Sequence, residues 1–214
     1  MFLELADKVG RVIGPVLIHY LVINIISMMR LHADAAFLTS IAAVLVLPLF
    51  WQMYKKDKEL TGNGRRTPEM TALDYVKIAV LGIVCNLLLT LVMNWILSFF
   101  SFSNQTQEAL FGSNLAVQLV GVGMIVPIME EVLFRGIVYN RLKGYTKTAQ
   151  SAMILAAAIF AVYHGNVVQM LFAFPMALIL IAVYEKWGTL RACITFHMAV
   201  NLSSVILTAV LSSR

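Results

Sequence analysis

Seven runs of apolar residues partition this chain: Val12 to Met29, Ala35 to Tyr54, Tyr75 to Phe102, Leu115 to Leu142, Ala149 to Tyr163, Val167 to Tyr184 and Leu190 to Leu211. A helix needs about 20 such residues to cross the hydrocarbon of a bilayer. There every backbone N–H and C=O must find its partner inside the protein, and a continuous helix does this within one segment. The expected fold is therefore all-α, a polytopic membrane helix bundle with about seven transmembrane helices. Only 13% of the 214 residues are charged, half the roughly 25% of a soluble domain. No internal repeat or linker interrupts the pattern, so residues 1–214 read as a single membrane domain.

The formal net charge of +5 does not point to nucleic acid, because the basic residues lie in short loops between apolar runs. Lys55 to Asp74 holds five Lys or Arg, Arg141 to Lys147 adds three, and Lys186 and Arg191 frame another turn. Ser101 to Asn114 has none. Cytoplasmic loops carry the Lys/Arg excess, so the N-terminus and the three basic loops are expected in the cytoplasm. Ser101 to Asn114, the short loop with His32, and the C-terminus then fall outside. Glu4 and Asp7 precede the first run and no A-x-A-like cleavage site follows it, which reads as a retained span. Cys85 and Cys193 are isolated among apolar residues and form neither a disulfide framework nor a CxxC site.

An ionisable group deep in a membrane costs at least about 2.5–3.5 kcal/mol and marks a functional site by default. Glu130, Glu131 and Arg135 lie in the fourth run, His164 ends the fifth, and His197 and Asn201 lie in the seventh. Glu131 and Arg135 are i,i+4 with the acid first, the favourable order for an ion pair. Glu130 is turned by about 100° from Glu131 and is left for another task. Pro127 frees a backbone carbonyl nearby. Phe160 with His164, and His197 with Asn201, repeat the i,i+4 spacing and project as pairs. At 1.5 Å per residue, Glu130 lies about 18 Å from an edge at Lys143 and His164 about 24 Å from Thr148; His197 and Asn201 lie about 9 and 15 Å from Arg191. All fall within a core of about 30 Å. The turn His164 to Asn166 is expected to stop below the outer surface, which is tolerated where it borders a cavity. Such a set suits hydrolysis. Glu130 takes a proton from water, His164 orients that water or assists the transfer, and His197 and Asn201 donate to the oxyanion. By contrast His19, Tyr20 and Asn24 either line a cavity or, the reading preferred, make contacts between helices, and Asn86, Asn94 and Gln118 likewise read as contacts between helices.

Glu130 to Arg135, "EEVLFR", has the form EExxxR; "FAVYH", Phe160 to His164, has FxxxH; "HMAVN", His197 to Asn201, has HxxxN. The ordered trio resembles the CPBP family of CAAX proteases and bacteriocin-processing enzymes, over roughly Leu115 to Ser204, a protease core of residues 115–204. The resemblance implies an all-helical intramembrane endopeptidase. In it Glu130 activates water with His164 as partner, His197 and Asn201 stabilise the oxyanion, and Glu131 and Arg135 support the site. Its partners are the lipid bilayer and a peptide or membrane-associated protein substrate. Eukaryotic relatives trim prenylated CAAX proteins; bacterial members are linked to peptide maturation and bacteriocin self-immunity, the direction in which the compact size points.

Zinc is the one cofactor to weigh, with Glu130, His164 and His197 as the available ligands. There is no HExxH helix, and the glutamate-and-water mechanism needs no ion, so no cofactor is favoured. The rival reading from another class is a transporter or proton relay. Against it, the unusual polarity is confined to the second half, where inverted repeats would show it in both. A non-catalytic immunity or scaffold protein of the same fold is the third reading.

Overall fold

The computed structural model describes residues 2–29, 33–60, 69–100 and 112–212. The position of His32, the centre of the Lys55 to Asp74 segment and most of Ser101 to Asn114 lie outside these residues. Seven helical segments follow in order: α1 Phe2–Met28, α2 Ala35–Leu60, α3 Ala72–Leu97, α4 Leu115–Tyr145, α5 Ala149–Tyr163, α6 Val167–Trp187 and α7 Leu190–Ser212. No strand occurs among the described residues. Six of the helices are long and apolar enough to span a membrane, and α5 is the short one.

Several helices outrun the apolar runs that predicted them. Glu4–Lys8 and Asp7–Arg11 ion pairs, both i,i+4, extend α1 ahead of Val12. Asp57 is held by Arg141 of α4, and α2 continues through the lysines to Leu60. Arg141 and Lys143 likewise sit on the last turns of α4 rather than in a loop. Hydropathy stops at the first charges, whereas the backbone stops where capping does. Thr71 and Asp74 form a reciprocal capping box that starts α3 three residues before Tyr75. At the other end α3 closes at Leu97.

α4 is the axis of the bundle. Its residues from Met129 to Tyr139 are all buried, the mark of a helix enclosed on every side. It packs against α1, α2, α5 and α7. Small residues let these neighbours approach: Ala43 on α2, and Ala152, Ala156 and Ala157 on α5, are buried around Met129, Leu133, Phe134 and Ile137. α3 lies at the periphery against α6 and α7. It exposes Val76, Val80, Leu88, Leu91 and Trp95, surface that suits lipid and not water.

α3 and α7 touch closely at Gly82, where an added Cβ would lie 2.6 Å from the Phe196 carbonyl oxygen. Asn86 fastens the same pair of helices, donating to Ser203 Oγ at 2.9 Å and accepting from Ser204 Oγ at 3.2 Å. Cys85 and Cys193 are both free thiols. Because Phe196 precedes His197, Gly82→Ala is expected to push α7 and cost about 1–3 kcal/mol, the range for overpacking. Gly144→Ala, with open space around its Cβ position, should be near neutral. Melting temperatures of the two variants in one detergent compare them.

Candidate active site

Proline sets the local geometry of α4. Pro127 has no N–H to return to the preceding turn. Ahead of it, Gln118–Ile125 winds as a π-helix, and the Val126 N–H reaches back five residues to the Gly121 carbonyl. The next bond in that register would run from residue 127 to Val122, and proline cannot make it. The Val122 carbonyl instead accepts from Asn201 Nδ2 at 2.9 Å. A second π segment, Val132–Tyr139, follows the glutamates. Such segments are rare and concentrate at functional sites. The freed carbonyl expected from the sequence is thus present and taken by Asn201, while the uniform 3.6-residue turn used to place the side chains gives way to two π segments.

Glu131 and Arg135 are almost fully enclosed, at 0% and 1% exposure. Arg135 Nη1 donates to Glu131 Oε1 at 3.0 Å. The same oxygen lies 2.7 Å from His197 Nδ1, so one carboxylate holds a guanidinium and an imidazole together. Arg135 presents its remaining charge to the face of Phe160, 4.7 Å from the ring centroid, where the ring quadrupole attracts a cation. The predicted Glu131–Arg135 pair therefore forms, and the link to His197 is an addition that spacing along α4 had no means to reveal.

His197 lies between the two glutamates. Its Nε2 is 3.6 Å from Glu130 Oε2 on the side away from Glu131. His164 is the C-cap of α5, and its Nδ1 lies 2.8 Å from the Phe160 carbonyl oxygen. A carbonyl only accepts, so Nδ1 carries the proton and the neutral ring keeps its Nε2 lone pair. Gly165 turns the chain with φ of +64°, a conformation other residues rarely adopt. Asn166 then caps α6 by accepting from the Val168 and Gln169 N–H groups. At 1.5 Å per residue the 15 residues of α5 reach about 22 Å, less than a hydrocarbon core. His164 is thereby held at the tip of a short hairpin.

Glu130, Phe160, His164, His197 and Asn201 all border one cavity of about 530 Å³. Glu131 and Arg135 sit behind its wall. Every candidate residue from the three motifs is thus at the cavity or directly supporting it. Phe160 is the common neighbour, with its ring 4.8 Å from that of His164 and 6.2 Å from that of His197. Among the described residues no three His, Cys, Asp or Glu side chains are grouped closely enough to hold a metal ion. Glu130, His164 and His197 share the cavity without forming a three-donor set.

One wall residue, Tyr163, escaped the sequence reading. Tyr163 lines the cavity, and its hydroxyl hydrogen-bonds Nδ1 of the buried His19 on α1. His19 does make a contact between helices, as expected, but to a residue one position from His164. The signal for Tyr163 is its place inside "FAVYH", at one of the open positions of FxxxH. Tyr20 and Asn94 also line the cavity, and Asn24 bonds back to the Tyr20 carbonyl within α1. Gln118 donates to the Ser113 carbonyl just ahead of α4.

Residues 112–203 match the family described as type II CAAX prenyl endopeptidase Rce1-like. No curated protein and no solved structure matches the chain. The matched segment runs from just before α4 into α7, and it contains all three motifs together with the helices that bring them to the cavity. Over residues 112–203 the chain is thus similar to the Rce1-like family of type II CAAX prenyl endopeptidases.

Proposed function

We propose that the chain is an intramembrane endopeptidase that hydrolyses a peptide or membrane-associated protein with water activated by Glu130. The observation that carries this reading is the convergence of Glu130, His164, His197 and Asn201 on one cavity. Glu130 takes a proton as the water oxygen bonds to the scissile carbonyl carbon, and returns it to the departing amine. The Nε2 lone pair of His164 accepts a hydrogen bond from that water and sets its direction of attack. His197 has its Nδ1 engaged by Glu131. A second bond from Nε2 requires both ring nitrogens to carry protons, and that bond meets the charge developing on the carbonyl oxygen. Asn201 has a second amide hydrogen for the same oxygen besides the one on Val122. No metal takes part in this scheme. Peptide maturation or self-protection against bacteriocins is the biological setting we assign.

The N-terminus lies in the cytoplasm in this reading. Arg11, Asp57, Arg141, Lys143 and Glu185 meet at one end of the bundle through cross-helix contacts, which supports a common cytoplasmic face for the basic segments under the positive-inside rule. Cysteine labelling in intact cells should find positions in Lys55 to Asp74 protected and positions in Ser101 to Asn114 accessible. The reverse pattern would overturn the orientation.

The adjacent glutamates should separate cleanly in variants. Glu130→Gln is expected to lower peptide cleavage by about 10²–10⁴-fold, the contribution typical of a lost general base, with melting temperature near wild type. Glu131→Gln leaves Arg135 buried without its counter-charge, a change that costs about 3–5 kcal/mol. Neutralising Glu131 and Arg135 together should recover part of that stability. It should not recover cleavage, because His197 still lacks its anchor. Melting temperature and cleavage, measured for all variants in one detergent, test both glutamates. Wild-type turnover by Glu130→Gln would end the proposal.

A further inference from the structure

His19 and Tyr163 form a buried polar pair that the catalytic scheme leaves unused. His19 is fully enclosed on α1, outside the residues that match the family. Its ring stacks on that of Tyr163 at 5.6 Å and lies edge-on to Phe50 at 6.5 Å. Sealing an imidazole among aromatic side chains costs free energy that an apolar residue of similar size would not. A bond between helices is one reason to keep it there. That bond, however, ends on the wall of the catalytic cavity.

Tyr163 is held on several sides. Phe134 packs against its ring at 5.2 Å and His164 at 5.5 Å, and Nδ1 of His19 hydrogen-bonds its hydroxyl. The residue is half-buried and lines the cavity together with Glu130, His164 and His197. A tyrosine hydroxyl has one hydrogen to give and lone pairs to accept with. His19 takes up one of these positions and leaves the rest for whatever occupies the cavity.

Charge decides where the hydrogen points. The Glu130 carboxylate acts electrostatically on the Tyr163 hydroxyl, and as a base awaiting a proton it is negative. A hydroxyl dipole in that field turns its hydrogen toward the carboxylate, and so into the cavity. The oxygen is left to accept, which makes Nδ1 of His19 the protonated nitrogen and the donor. Such a bond polarises the hydroxyl and strengthens it as a donor in turn. This tautomer also strands no N–H at Nε2, which has no partner among the described residues.

Resting on the peptidase reading, we infer that Tyr163 is a further catalytic residue. Its hydroxyl donates a hydrogen bond to an oxygen of the tetrahedral intermediate from α5, as His197 and Asn201 do from α7. His19 is its positioning residue, and through that bond α1 takes part in the chemistry. The hydroxyl stabilises developing charge and keeps its proton, so the balance of the hydrolysis is unchanged.

The probe is a mixed-sequence pool of quenched fluorescent peptides, and the one that wild type cuts fastest is used for kinetics in detergent. Rates are taken per folded enzyme, below the melting temperature of every variant. Tyr163→Phe keeps the ring and removes the hydroxyl. It should lower kcat at least about tenfold, toward the roughly 10²–10³-fold of a lost oxyanion donor, with KM within about twofold. A smaller fall in kcat, or a loss confined to KM, overturns the catalytic role. His19→Leu should lower kcat in the wild-type background and no further in Tyr163→Phe. Wild-type kcat in His19→Leu, or an equal fall in both backgrounds, overturns the positioning role. His19→Asn returns an amide N–H near the place of Nδ1 and should turn over faster than His19→Leu. Should Tyr163→Phe not fold, those two variants still decide, and equal turnover in them overturns the inference. If wild type cuts no peptide in the pool, the peptidase reading fails and this role goes with it. A cleaving wild type matched by Tyr163→Phe ends the role of Tyr163 alone.

Discussion

The carboxylate of Glu131 is the point on which the interior of this bundle depends. Three helices meet there: α4 contributes the glutamate and Arg135, α7 brings His197, and α5 covers the guanidinium with Phe160. A lone arginine or glutamate at this depth would be expelled or neutralised. Paired on one helix at i,i+4, the two charges enter together, and the helix then needs only neutral partners around it. Breaking one side of such a pair is expensive because the other charge stays buried. The pair is thus less a source of net stability than a condition on which helices may surround α4 and in what rotation.

That condition reaches the reacting groups by one bond. With Nδ1 held by Glu131, the His197 ring has a fixed direction, and Nε2 is turned toward Glu130. Fixing one ring nitrogen to set the role of the other is how imidazoles are tuned in catalytic and metal sites alike. Asn201, one turn further along α7, is fixed differently, by the Val122 carbonyl that Pro127 leaves unpaired. A backbone defect in α4 and a carboxylate in α4 therefore orient the two polar residues of α7. The motifs are interdependent: substituting Pro127 alters Asn201, and substituting Arg135 alters His197, although neither pair is close in sequence.

Much of this was legible in the chain. Apolar runs gave the helices because bilayer thickness imposes their length, and isolated charges within the runs gave the candidate site because their cost demands a reason. The i,i+4 rule found the Glu131–Arg135 pair, which lies within one helix. What it missed lies between helices. The Glu131–His197 bond joins residues 66 apart, and the Tyr163–His19 bond joins residues 144 apart, separations on which helical periodicity is silent. The depth estimates spread from about 9 to 24 Å for groups that share one cavity. They assumed a uniform rise and edges at the first basic residue. α4 contains two π segments, and its basic residues lie on the helix itself.

The short α5 explains how a hydrolytic site is reconciled with a hydrophobic bundle. A full-length helix there would carry its C-terminus to the surface and leave His164 among headgroups. Ending after 15 residues, α5 brings its last carbonyls, of which Phe160, Ala161 and Val162 accept hydrogen bonds, and the Gly165 turn beside the cavity. Irregular backbone at such a depth is tolerated only against protein or a watery cavity. The neighbouring wall is that cavity, and the Phe160 carbonyl that orients His164 belongs to the last turn of the helix. The break that brings polar backbone into the membrane interior thus also positions an imidazole where water must be. The ion pairs at the opposite end, Arg141 with Asp57 and Lys143 with Glu185, allow this opening, because the helices remain tied together where the cavity does not divide them.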